Sequence, residues 1–204
     1  MDLLFKTIVG YTAGAITIIA VLVYLSAIIK GKVHSNKLTW AVWSLVTLMI
    51  CVYYYQTVGL VSSIWVSIAY FFGTLLTFIL LLKYGGKGQW SWVEKMALTG
   101  VFITLFFRII FNSPLIALAL TMLIDAIGAI PLIVTVYKDF KNDYRLAWLL
   151  GLTSNIVNLF AVEKWDFGNA GYPIYMVALT LTVTVLLYFP NFLRTKSFRL
   201  SKVI

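Results

Sequence analysis

The chain is poor in the residues from which catalytic and metal sites are usually built. Its 204 residues include one cysteine, Cys51, one histidine, His34, and seven acids. A single cysteine excludes a disulfide framework and a cysteine-based metal site, and Cys51 reads most simply as a small apolar packing residue. His34 lies in a basic stretch with no nucleophile, carboxylate pair or metal-ligand spacing beside it, so it reads as a solvated residue. Gly85-Gly-Lys-Gly88 lacks both the spacing and the context of a phosphate-binding loop. No lysine stands in the middle of the last apolar run, which excludes a retinal Schiff base. The chain is therefore expected not to be an enzyme and to carry no cofactor or metal.

Charge is also scarce. Charged residues are 11% of the chain while hydrophobic ones are 62% and aromatic ones 16%, against about a quarter charged in ordinary soluble domains. Seven apolar runs fill the sequence, at roughly 8–29, 38–58, 62–83, 93–111, 114–137, 145–163 and 170–190. Each is about long enough to cross a bilayer as a helix, the form in which a backbone satisfies its own polar groups in lipid. The expected fold is all-α and integral to the membrane.

The net charge of +9 could point to nucleic acid in a soluble protein, but its distribution excludes that reading. Of 16 basic residues, 13 lie after the first, third, fifth and seventh runs: Lys30, Lys32 and Lys37; Lys83, Lys87 and Lys95; Lys138, Lys141 and Arg145; Arg194, Lys196, Arg199 and Lys202. Only Lys6, Arg108 and Lys164 fall on the other side. By the positive-inside rule the N-terminus is outside and the C-terminus cytoplasmic. A bacterial inner membrane is the expected location. The first run is kept as a helix rather than a cleaved signal, because its charged flank is on the far side.

Membrane carriers are often built from repeated halves. Displacing the sequence by 108 residues lays Lys30 on Lys138, Leu38 on Leu146 and Trp40 on Trp148, and superposes the first three runs on the last three. The fourth run is then a connector. An odd connector keeps both halves in the same orientation, so the layout expected is seven transmembrane helices, 3+1+3, with two parallel three-helix bundles. Residues 1–84 form the first bundle, 85–113 the connector with the fourth helix, and 114–204 the second bundle with a basic tail.

Polar residues inside the runs mark a candidate site. Asp125 lies about 11 residues into the fifth run, near the bilayer midplane at ~1.5 Å of rise per residue. A carboxylate at that depth is either linked to a substrate cavity or neutral and hydrogen-bonded for packing. Trp148, Gly151, Asn155 and Asn158 recur at spacings of three and four and so share one helical face. The two amides suit a small polar ligand, or else join helices. At the repeat offset Thr47 and Ile50 stand opposite Asn155 and Asn158, so the halves present unequal chemistry.

Trp43 and Trp148 are candidates to face the cavity, and Tyr70, Thr74, Tyr175 and Thr180 are weaker ones. Tyr53, Tyr54 and Tyr55 could stack on a ring. Trp40, Trp65, Trp90, Trp92 and Trp165 read as interface anchors. Pro131, inside the fifth run with Gly128 three residues before it, supplies a hinge or a static kink. Pro114, Pro173 and Pro190 sit near run ends. Arg108 either snorkels to water or pairs with Glu163 or Asp166.

The segment Asp125-Ala-Ile-Gly-Ala-Ile-Pro-Leu-Ile-Val-Thr-Val-Tyr-Lys138, followed by Trp148 and Asn155, resembles the PQ-loop repeat of the SWEET, semiSWEET and lysosomal amino-acid carrier superfamily. In the first half Lys30 to Lys37 and Leu38-Thr-Trp-Ala-Val-Trp43 look like a more divergent copy. Leu132 stands where that repeat has its glutamine, and the first half lacks the proline. The nicotinamide-riboside transporter family is a more distant likeness, with the same 3+1+3 layout. The resemblance implies a carrier that moves a small polar metabolite (sugar, amino acid or vitamin-like) by alternating access, with proton coupling open. Asp125 would gate or couple, Asn155 and Asn158 would bind together with Trp43, Thr47 and Trp148, and Pro131 and Gly128 would bend. The same fold serves KDEL receptors, so a non-transporting receptor or assembly protein is the alternative. Expected partners are a small-molecule substrate and the lipid bilayer, with self-association into a homo-oligomer left open.

Overall fold

A computed structural model describes residues 2–33, 36–85, 90, 92–138 and 143–189. His34, Lys87, Lys141, Pro190 and the basic residues Arg194, Lys196, Arg199 and Lys202 lie outside the described residues.

The described chain is all-helical, with α1 (Leu3–Ile29), α2 (Lys37–Val58), α3 (Ile64–Tyr84), α4 (Trp92–Phe111), α5 (Pro114–Lys138), α6 (Arg145–Leu159) and α7 (Phe167–Tyr188). Five of them, α1, α2, α3, α5 and α7, are long and apolar enough to cross a membrane. The chain is thus a membrane-type all-α protein. Two runs depart from expectation. The helix α4 has the length but carries Glu94, Lys95 and Arg108 within its 20 residues. The helix α6 has only 15 residues, about 22 Å at the α-helical rise, short of the ~30 Å hydrocarbon core. The apolar Ala161 and Val162 suggested a continuing helix, but the backbone turns after Leu159 and buries both residues. This turn brings the Glu163 carboxylate to the N–H and hydroxyl of Ser62, both at 2.8 Å.

Helix ends follow local chemistry. Asn36 caps α2 by accepting from the Leu38 N–H, and Asp166 caps α7 by accepting from the Asn169 N–H; each satisfies a donor the first turn would leave free. The Asn169 side-chain and backbone donors hold the exposed Asp166 carboxyl below its usual range. Gly59 closes α2 with φ +79°, a backbone angle that favours glycine. Pro173 lies within α7, in its second turn, and α5 runs through Pro131 without a break.

Six helices close a ring in the order α1, α3, α2, α5, α7, α6 and back to α1, while α4 lies outside it against α5 and α2. Close approach of α1 to α3 depends on absent side chains: a Cβ on Gly10 would strike the carbonyl of Ser62, and one on Gly73 would strike Val21.

The apolar interior is arranged unequally along the helices. One cluster unites both sides of the ring at the end away from the basic loops, with Ile50, Tyr53, Tyr54 and Ile64 packed with Leu118 and Tyr172, and it reaches along α2 and α4 to Val42 and Ala97. Two further, separate clusters lie toward the basic loops. One cluster holds Ala27, Ile28, Val33 and Leu81, joined by Trp40 and Tyr144; the other holds Val136, Val183, Leu186 and Leu187, joined by Trp148.

Candidate functional site

Between these divided clusters the ring encloses a cavity of about 140 Å³, to which all six ring helices contribute and α4 does not. A void of ~150 Å³ holds a benzene-sized ring. The space therefore matches one ring.

Its wall is built from one face of each helix. Trp40, Trp43, Thr47 and Ile50 recur on α2 at intervals of three and four and so line up along it. From α6 come Ala147, Trp148 and Gly151, from α3 Tyr70, Gly73, Thr74 and Thr77, and from α7 Tyr172, Met176, Leu179 and Thr180. The rings of Trp40 and Trp43 meet edge-on with centroids 5.4 Å apart, and Trp40 also touches Tyr24 at 5.3 Å, geometries that aromatic pairs favour. Glycines make room for these bulky groups: a Cβ on Gly128 would lie 3.4 Å from the Trp43 indole nitrogen, and one on Gly151 3.3 Å from the Tyr70 hydroxyl.

The polar groups are few and ordered. Asp125 is buried on the cavity wall, and the Tyr175 hydroxyl donates to its Oδ2 at 2.6 Å. Among the described residues it makes no ion pair. Thr47 and Thr74 share a hydrogen bond of 2.8 Å between α2 and α3. At the corresponding α6–α7 contact, Asn155 donates to Thr180 at 3.2 Å and to the Tyr70 hydroxyl at 2.9 Å. Among the described residues its buried carbonyl oxygen has no hydrogen-bond partner.

Four of the six residues expected to contact a ligand, Asp125, Trp43, Thr47 and Trp148, therefore line one cavity. Asn155 stands directly behind it, holding two of its hydroxyls. Asn158 is elsewhere: its amide donates to the Ser63 carbonyl at 3.2 Å, and it does not line the cavity. One turn further along α6 than Asn155, it has passed into the packed end. Tyr53 and Tyr54 also belong to that packed end, where Tyr54 donates to the Asn169 carbonyl at 2.7 Å and shares a hydrogen bond with Ser63 at 2.6 Å; Tyr55 is exposed. Gly128 approaches Trp43, and Pro131 is half-buried beyond the cavity on α5.

One expectation for tryptophan changes: Trp40 lines the cavity rather than anchoring an interface. Trp65, near the start of α3, packs against the Tyr11 ring at 4.9 Å and over Gly14. Trp90, Trp92 and Trp165 are exposed. Arg108 pairs with neither Glu163 nor Asp166; it donates to Asn112 at 2.9 Å and to Gln56 at 3.3 Å. Tyr24, Tyr172 and Met176 complete the wall and were not singled out in the sequence. Displacing α3 by 106 residues rather than 108 would have found Met176 opposite Tyr70 and Thr180 opposite Thr74. Asp143, in the loop before α6, is buried, which pushes its carboxyl up against the lowering effect of the Tyr144 N–H at 2.7 Å and of the Trp148 side chain. Comparison with known proteins finds no match to the chain among family models, curated proteins or solved structures.

Proposed function

We propose that this chain is a membrane carrier, similar to the SWEET and PQ-loop transporters, that moves a small polar metabolite bearing a ring by alternating access. The observation that carries the reading is a cavity lined by six helices, with one cluster packed across both sides at one end and two separate clusters flanking it at the other. A cavity closed on one side and parted on the other is the shape a carrier needs in one of its two states.

The ring order supports the 3+1+3 layout. Exchanging α1 with α5, α2 with α6 and α3 with α7 turns each contact of the ring into another contact of the ring. Seven crossings with the basic loops on the cytoplasmic side then make this state open inward. Trp40, Trp43 and Trp148 would stack on the ligand's ring, and Thr47, Thr74 and Asp125 would take its polar groups. Asn155 would position Tyr70 and Thr180.

The test is a ligand-stabilisation screen of the purified protein with sugars, amino acids, vitamins and nucleosides, because a bound ligand raises apparent stability. A saturable hit that weakens in Trp43→Ala and is taken up by proteoliposomes supports the proposal. Binding without uptake would replace it with a receptor of the same fold.

A further inference from the structure

The two seams between the halves are built differently. Along α1 and α6 the ties are directional and recur from end to end. At the packed end Lys6 donates to the Glu163 carbonyl at 3.0 Å. In the middle the Ser154 hydroxyl donates to the Ala13 carbonyl at 2.7 Å and lies 2.6 Å from the Thr17 hydroxyl, all three residues being buried. At the basic end the Lys32 ammonium sits 5.7 Å from the centre of the Tyr144 ring, and Tyr144 packs into the first half's own cluster. Small residues at the crossing let the two helices approach closely enough for a side chain to reach backbone.

The α2–α5 seam is different in kind: beside it one hydrogen bond joins the halves at the packed end, from the Tyr54 hydroxyl of α2 to the Asn169 carbonyl of α7 at 2.7 Å, and the seam itself is apolar among the described residues. Trp43 lies over Gly128, and the aliphatic side chains of both helices share one apolar cluster. Outside this seam lies α4. It is hydrogen-bonded to α2 near both ends, through Glu94 to Thr39 at 2.6 Å and through Arg108 to Gln56 at 3.3 Å. Against α5 it makes a close apolar approach, where a Cβ on Gly100 would come within 2.8 Å of Ile124.

Hydrogen bonds fix direction and apolar contact does not. We infer that α1 and α6 form a fixed pivot, and that the halves part and close along α2 and α5, with α4 moving as one body with α2 and sliding over α5. The inference rests on the alternating-access reading and names the axis of the motion. It also moves the bending point away from Pro131 to the hydroxyls of Thr17 and Ser154.

Two disulfide locks test it in a Cys51→Ser background. Thr17→Cys with Ser154→Cys would fix the pivot, and Gly100→Cys with Ile124→Cys would fix the sliding face; the close approaches suit a disulfide. Ile50→Cys on the cavity wall reports opening, through its labelling rate by a membrane-impermeant maleimide applied from the side away from the basic loops. Labelling is expected without a lock, unchanged with the Thr17–Ser154 lock, and lost with the Gly100–Ile124 lock until a reductant restores it. Loss of labelling with the Thr17–Ser154 lock, or its persistence with the other, overturns the pivot while leaving alternating access in place. No labelling in the unlocked protein would overturn alternating access, and the pivot with it.

Discussion

Replacing Asn158 by alanine should lower stability and leave ligand binding alone, although its spacing on α6 placed it with the binding residues. Among the described residues its buried amide donates once, to the Ser63 carbonyl at 3.2 Å, and its own oxygen has no partner. Interhelical hydrogen bonds in membrane proteins contribute ~0.6 kcal/mol on average and at most ~1.7. The truncation adds a small void but also removes an unpaired buried oxygen, so the expected loss is about 1–2 kcal/mol. For a chain near 200 residues, each kcal/mol shifts the midpoint by about 2–4 °C, and a fall of roughly 2–8 °C follows. Asn155→Ala should differ, because it releases both Tyr70 and Thr180 on the cavity wall. It should lower the midpoint and also weaken any ligand that the wild type binds. Thermal unfolding of both variants across a ligand titration measures the two effects together. If Asn158→Ala weakened the ligand tenfold or more with an unchanged midpoint, the amide would face the ligand and the reasoning would fail.

Gly10→Ala should be strongly destabilising despite a helix-propensity gain of about 1 kcal/mol, because the new methyl meets the backbone carbonyl of Ser62; Gly128→Ala, in ordinary contact with Trp43, should change the unfolding midpoint far less. Tyr175→Phe removes the 2.6 Å donor from Asp125 and should cost about 1–2 kcal/mol, read as a lower midpoint in detergent. Asp143 has a raised carboxyl, so its folded form favours the proton. Its contribution is most favourable at low pH and declines as pH rises from the unfolded value of about 4 through the raised one. Asp143→Asn should therefore be more stable than wild type at pH 7, and the advantage should vanish at acid pH; an advantage that did not vary with pH would refute this assignment.

The helix count and most of the cavity were legible because lipid imposes simple rules. Long apolar runs marked the helices, and spacings of three and four put Trp148 with Gly151 on a single face. What could not be read was how far along each face the packing stops and the cavity starts. Asn155 and Asn158 are equivalent on a helical wheel, yet one turn separates the cavity wall from the closed end. Trp40 differs from expectation for the same reason: its place near a helix end resembles that of an interface anchor, and only its packing with the Ala27, Ile28, Val33 and Leu81 cluster beside the cavity sets it inside. The end of α6 left no signal, because no glycine or proline marks it; the tie that accompanies the turn joins Glu163 to Ser62, 101 residues apart.

The inequality of two similar contacts has a consequence for orientation. Thr47 meets Thr74 where α2 crosses α3, and Asn155 meets Thr180 where α6 crosses α7. Were these contacts identical, a small molecule lodged between them could lie either way round at no difference in energy. Here one side offers a pair of hydroxyls and the other an amide bound to a hydroxyl, while the single carboxylate of Asp125 belongs to α5 and its 108-residue counterpart on α1, Thr17, is turned to Ser154. A guest with distinct ends is thereby left one favoured pose, and the chamber acquires a left and a right.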